Sequence, residues 1–219
     1  QVGKTRKMLG TAGRLVWGID LSTMLFIGIT GTNGKTTTAY LFQRLFSEVF
    51  GPLSTWMFGT VAYSLGGTLL PAQRTTPESS DIFRTIGRSS GKPKAVVMEV
   101  SSHALALDSI AGMSFDYAVW TNLTQDHLDF HKSMDDYYQA KKLLFTRYLK
   151  PGGRAIINID DPWGRRLAAE LATVEKTTYG RSDDARVRIL RGNSSPEGTG
   201  IELRFGKTTA RVDSQLSVD

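Results

Sequence analysis

Residues 25–38, LFIGITGTNGKTTT, limit what this chain can fold into more than any other stretch. Leu25, Phe26, Ile27 and Ile29 form a short apolar run, the pattern of a buried strand. A glycine-rich turn follows (Gly31, Thr32, Asn33, Gly34), then Lys35 and three threonines, and AYLFQRLFSEVF reads as a helix. Strand, glycine turn, Lys-Thr and helix together make a phosphate-binding loop. Glycines let backbone N–H groups converge on an anion, and the helix N-terminus adds partial positive charge. Lys35 is placed to reach the β- and γ-phosphates of ATP, and the Thr36 hydroxyl to hold Mg²⁺. The nucleotide-binding set is therefore Gly31, Thr32, Asn33, Gly34, Lys35, Thr36 and Thr37. The common spelling G-x-x-x-x-G-K-[ST] wants a glycine where Ile29 stands, with Gly28 and Gly31 on either side, so the loop is a variant.

The rest of the chain supplies the strands and helices such a loop needs. Residues 1–20 read as a basic, weakly amphipathic linker helix running into the first strand. A start at Gln1 rather than Met suggests a fragment. Gly51-Pro52 stops the first helix, and residues 53–70 carry short β-type runs broken by Gly66-Gly67, a strand and hairpin. Pro77 heads the next helix with Glu78 in its first turn. KAVVMEV (94–100), FDYAVWTNL (115–123) and RAIINID (154–160) read as buried strands. SSHALALDSIAGM is a short helix or loop, while MDDYYQAKKLLFTRYL and DPWGRRLAAELA read as helices. Apolar strands alternating with helices predict a doubly wound, mostly parallel α/β sheet of the P-loop type. From about residue 177, period-two runs (ARVRIL, IELRF, TARVDSQL) predict antiparallel strands at one edge.

In open α/β sheets the ligand lies outside the carboxyl ends of the strands. The glycine loop, Glu99, and Asn122 with Asp126 and His127 all fall there. Glu99 sits inside an apolar run, where a free carboxylate is costly. This carboxylate, the His127 imidazole and the Thr36 hydroxyl can converge near the triphosphate, the oxygens being what Mg²⁺ takes and the imidazole a less typical ligand. All three histidines, His103, His127 and His131, lie in this neighbourhood. On the helix after residue 133, Tyr137, Tyr138, Leu144, Phe145 and Tyr148 surround Lys141 at spacings of three, four and seven. Lys141 thus stands in the apolar stripe, where it can snorkel, pair with an acid or lose its charge.

The loop spelling TGTNGKTT resembles that of the Mur ligases, the ATP-dependent amide-forming enzymes of peptidoglycan synthesis. EVSSHALAL, FDYAVWTNLTQDHLDFH, YYQAKKLLF and INIDDPWGRR are similar to the central domain of the branch that adds the third stem-peptide residue. The resemblance implies an ATP-binding central domain over 23–219, with 1–22 a linker helix left from an N-terminal domain and a C-terminal domain absent. It implies that ATP phosphorylates a substrate carboxylate to an acyl phosphate, which an amino acid then converts to an amide. Lys35, Lys141 and His127 are the residues it makes catalytic. Glu99 and His127 match magnesium ligands, and Lys141 matches a lysine that becomes carbamylated. Thr75, Thr76 and Ser101 match residues that contact UDP-muramyl-dipeptide, and the second substrate is a diamino acid. Where relatives usually carry an arginine facing the muramyl peptide, this chain has Ser109, preceded by Asp108. Two alternatives stand beside this reading. One is another enzyme of the same fold, such as a folylpolyglutamate synthase. The other is a nucleotide-binding module or pseudoenzyme without ligase activity.

Composition narrows the partners. Apolar residues at 40% and charged residues at 22% are those of a soluble globular protein, and no apolar run approaches a membrane span. With no cysteine, disulfides and thiolate metal sites are excluded, which suits the cytoplasm. The net charge of +6 is scattered without aromatic stacking residues, so a nucleotide, not nucleic acid, is the expected polyanion. The protein is expected to be a monomer.

Overall fold

A computed structural model describes residues 2–195 and 198–214. One sheet of eleven strands runs through it, in the order β11-β10-β9-β8-β7-β6-β1-β5-β2-β3-β4. The strands are β1 Leu25–Thr30, β2 Thr55–Phe58, β3 Ala62–Leu65, β4 Thr68–Pro71, β5 Ala95–Glu99, β6 Phe115–Trp120, β7 Leu149–Asn158, β8 Glu175–Gly180, β9 Val187–Ser195, β10 Gly198–Phe205 and β11 Thr208–Ser214. The helices are α1 Val2–Val16, α2 Lys35–Phe50, α3 Ser79–Arg88, α4 Ser102–Ala106, α5 Met134–Thr146 and α6 Pro162–Glu170.

Strands β2, β5, β1, β6, β7, β8 and β9 pair in parallel, while β3, β4, β10 and β11 are antiparallel additions. Parallel crossovers are right-handed, so the direction of travel decides the face. Only the β1-to-β2 step moves toward β4, and its helix α2 covers one face through Ala39, Phe42 and Phe46. The later crossovers return the other way and place α3 to α6 on the opposite face, which carries the larger core. Adjacent strands β1 and β6 therefore send their connections to opposite faces, opening a crevice at their carboxyl ends. At Gly28 on β1, a Cβ would press on Leu144 and Phe115, so glycine lets α5 lie close to the strand.

The parallel core and the antiparallel edge agree with the sequence reading, and four details differ. Glu78 is the N-cap of α3 in extended conformation, not part of its first turn, because Ser79 N–H donates to the Ser109 carbonyl outside the helix. Strand β6 stops at Trp120 because the groups of 121–124 turn to the glycine loop and to Asp161. Strand β7 begins at Leu149, the last residue of the stretch read as a helix, and includes Pro151-Gly152-Gly153 ahead of the RAIINID run. Residues 175–180 form a further parallel strand, β8, ahead of the antiparallel ones. Of the TARVDSQL run, residues 215 and 216 lie outside the described residues.

Candidate active site

The glycine loop sits in the crevice between β1 and β6. Gly31 has φ +151°, and a Cβ there would collide with Thr121 Oγ1, so both backbone and space demand glycine. Gly34, at φ +80°, is the N-cap of α2 and offers no side-chain cap. The first intrahelical bond runs from Thr38 N–H to Gly34 O at 3.0 Å. The N–H groups of Lys35, Thr36 and Thr37 thus have no acceptor within the helix and form the expected anion-facing end. Thr37 stands exposed in that first turn.

Residues 121–124 hold the loop in place. Thr32 N–H donates to Asn122 O (2.8 Å), and Asn33 N–H to Asn122 Oδ1 (3.0 Å). Asn122 Nδ2 and Thr121 Oγ1 both donate to Asn33 O, at 3.1 and 2.7 Å. Thr124 N–H donates to Thr32 Oγ1 at 3.0 Å. With its own polar groups already bonded, the loop can present its remaining N–H groups without rearranging.

Two lysines meet under it. Lys35 Nζ donates to Gly31 O (3.1 Å) and Thr32 O (2.8 Å). Lys141, 1% exposed, donates from Nζ to the same Gly31 O at 2.8 Å, with its ammonium 4.6 Å from the Tyr137 ring centroid. Burial pushes both lysines below the ordinary range, Lys141 far below it, and the neighbouring Lys35 charge adds to the effect on Lys141. Of the sequence alternatives for Lys141, snorkelling is excluded by this burial. Its neighbour Lys142 reaches the edge and pairs with Glu170 at 2.8 Å.

Glu99, fully buried at the end of β5, closes the other side. Its Oε2 accepts from Thr36 Oγ1 and from Thr60 Oγ1, each at 2.9 Å, and its Oε1 accepts from Thr60 N–H at 2.9 Å. A carboxylate touching the loop threonine is a hard oxygen pair of the kind Mg²⁺ takes, the remaining positions going to phosphate oxygens and water. The residues present fit that ion. Among the described residues no three His, Cys, Asp or Glu side chains gather closely enough to hold a metal by themselves. His127 adopts φ +52° on the loop after β6, half exposed, with Nε2 3.4 Å from Asp126 Oδ2. Its ring lies edge-on to His103 and Tyr137, and the Tyr137 hydroxyl is 3.4 Å from Thr32 Oγ1. His131 is buried, with Nε2 2.9 Å from Ser102 Oγ.

The segment 74–79 joins this site from its other side. Thr76 Oγ1 donates to Glu99 O (2.9 Å), accepts from Ser101 N–H (2.9 Å) and lies 3.3 Å from Ser101 Oγ. Thr75 Oγ1 lies 3.1 Å from Thr60 Oγ1, whose proton goes to Glu99. Thr60, two residues past the end of β2, escaped the sequence reading. Ser109 is buried and donates from Oγ to Glu78 Oε1 at 3.1 Å.

The Mur ligase middle domain matches residues 29–217. The chain belongs to the Mur ligase family. UDP-N-acetylmuramoyl-L-alanyl-D-glutamate–2,6-diaminopimelate ligases are similar over most of it. The chain is 43% identical to that of Solibacter usitatus over 99% of its length, and 42% identical to that of Geobacter metallireducens over 90%. It spans 44% and 39% of those two relatives. A solved ligase of the same name superposes with a TM-score of 0.82 at 26% identity, over 97% of this chain and 44% of that one. Folylpolyglutamate synthase of Mycobacterium tuberculosis, at 17% identity and a TM-score of 0.67, shares the fold. Among the described residues no helix is long and apolar enough to cross a membrane.

Proposed function

We propose that this Mur ligase chain is the ATP-binding part of an enzyme that joins 2,6-diaminopimelate to UDP-N-acetylmuramoyl-L-alanyl-D-glutamate, with ATP converted to ADP and phosphate. The observation that carries the reading is the contact between Thr36 and the buried Glu99, beside a braced glycine loop with Lys35 beneath it. A carboxylate oxygen of the acceptor attacks the γ-phosphorus, and the bond to the β-phosphate bridging oxygen breaks. The diamino acid's amine then attacks the acyl carbon, phosphate leaves and the amine loses a proton. Two anions must approach each other, so the cationic loop carries most of the electrostatic work. Lys35 turns from Gly31 O and Thr32 O toward the β- and γ-phosphates, and the free N–H groups of α2 bind phosphate oxygens. Thr36 and Glu99 would hold Mg²⁺, with His127 as a candidate ligand from the loop after β6. When bound, that ion neutralises phosphate charge. Thr75, Thr76 and Ser101 line the path of the acceptor.

Lys141 is proposed as the carbamylated residue. A neutral, buried amine takes up CO₂ by forming an N–C bond and releasing a proton, so a neutral group becomes an anion beside the loop. Incubation with ¹³CO₂ should give a carbamate NMR signal in the full-length enzyme and none in Lys141→Ala, whose ligation should be restored in part by added short carboxylates. No signal, with a fully active variant, would remove this role. We also read the protein as a cytoplasmic monomer. Further domains are proposed to hold the uridine and the incoming amino acid, with α1 the linker to the first. The direct test is ligation by the full-length protein. Stoichiometric ADP, phosphate and tripeptide product are expected, and ATP hydrolysis without product would favour the nucleotide-binding module.

A further inference from the structure

We propose that Arg6, on α1, receives an anionic group of the acceptor together with Arg74. The group is the glutamyl carboxylate that is not activated. The inference rests on the acceptor assigned above and adds a positioning residue from a segment with no part in the nucleotide site.

Three donors converge on one oxygen. Glu78 Oε1 lies 3.6 Å from Arg6 Nη2, 3.3 Å from Arg74 Nη1 and 3.1 Å from Ser109 Oγ. Two guanidinium groups therefore share a single carboxylate oxygen, neither in the two-pronged geometry that makes arginine–carboxylate pairs strong. Arg6 is held from its other side, where Nη1 donates to Leu107 O at 3.3 Å. Both arginines and Glu78 are partly open to solvent, so the pairing is weak and an incoming carboxylate can replace Glu78 at little cost. A glutamyl residue has two carboxylates, and if one is phosphorylated the other remains an anion that needs a partner.

Arg6 is not needed to fasten α1. A Cβ on Gly10 would collide with the Ala111 carbonyl, and Gly112, at φ +83°, lies against Gly10, so the two backbones touch directly. Lys7 pairs with Asp108 at 3.5 Å, and Ser79 Oγ donates to Ala111 O at 2.6 Å, tightening the same junction. This junction fixes where Arg6 stands. The loop it faces, 74–78, also carries Thr75 and Thr76, and Thr76 contacts Glu99 O and Ser101. Arg6 thus stands one loop away from the reacting phosphate, on the acceptor side.

The test is steady-state ligation by the full-length enzyme with UDP-N-acetylmuramoyl-L-alanyl-D-glutamate as the varied substrate. Arg6→Ala should raise its KM on the order of tenfold, leaving the KM for ATP within about twofold. Arg6→Lys should recover part of the loss, and millimolar guanidinium should lower the KM of Arg6→Ala but not of the parent. Lys7→Ala, which removes a neighbouring charge facing Asp108, should change the KM by less than about twofold. An unchanged KM in Arg6→Ala would overturn the inference while ligation by the parent upholds the assigned reaction. A loss that neither lysine nor guanidinium restores, with the ATP KM rising in step, would make Arg6 structural. A parent that ligates nothing to this acceptor would overturn the assigned reaction and the inference together.

Discussion

The glycine loop and the loop at 74–78 flank the same Glu99, yet they are fastened by different interactions. At 31–34 the outward side of the chain is held by neutral groups: backbone amides, Asn122 and the hydroxyls of Thr32, Thr121 and Thr124, in a reciprocal mesh of 2.7–3.3 Å bonds, with the ammonium groups of Lys35 and Lys141 on the carbonyls beneath. At 74–78 the outward side is held by ions, with Arg6, Arg74 and Glu78 at 3.3–3.6 Å and partly in water. Several short neutral bonds keep one geometry, so the loop does not depend on Lys35, which can exchange its two carbonyls for the ligand. Exposed ion pairs cost little to rearrange, which suits the acceptor-admitting role proposed for this loop. The two sides meet at Thr60 and Thr76, whose hydroxyls bond the carboxylate and the carbonyl of Glu99.

The contrast can be broken at several points. The largest effect is expected from Glu99→Gln in the full-length enzyme. It keeps the shape but removes the charge of the buried carboxylate beside Thr36, the proposed metal ligand, so kcat should fall by about 10² or more at fixed Mg²⁺. A kcat within about threefold of the parent would show that Glu99 is only a bonding partner of Thr36 and Thr60. Asn122→Ala comes next. It removes two bonds to Asn33, and nucleotide affinity should weaken about tenfold, the free energy of one or two such bonds. Calorimetric titration would read it, and an unchanged Kd would mean that the mesh does not set the loop.

The smallest effect concerns Lys141, the buried lysine that shares the Gly31 carbonyl with Lys35. Its amine loses protons more easily folded than unfolded, so folding is penalised while both states are charged. The penalty fades as pH rises from the depressed folded value toward the ordinary 10.5. Lys141→Met removes that penalty, so its stability relative to the parent should decline as pH rises through this window. Urea unfolding in CO₂-free buffer measures the trend, and a pH-independent difference would contradict a depressed value.

The nucleotide side was legible in the sequence because it is local. Strand, glycines, Lys35, Thr36 and helix occupy one stretch, and Glu99 was marked by its place in an apolar run. The apolar stripe around Lys141 also foretold its burial. Strand β8 was not legible, since EKTTYG has too little apolar pattern to announce a parallel strand buried only in part. Thr60 was missed because a lone threonine carries no signal until β2 is known to end beside Glu99. Arg6 was out of reach for another reason. It meets a residue 72 positions away only because Gly10 and Gly112 let α1 lie on the 107–112 segment.

The central claim, that a braced neutral loop lets Lys35 act on the nucleotide, is tested most directly by titrating Mg-ATP into this chain and into Lys35→Ala. The parent should bind, and the variant should bind at least about tenfold more weakly, a loss of about 1.4 kcal/mol or more, with its unfolding temperature unchanged. Affinity within about threefold of the parent in a folded Lys35→Ala would contradict the account.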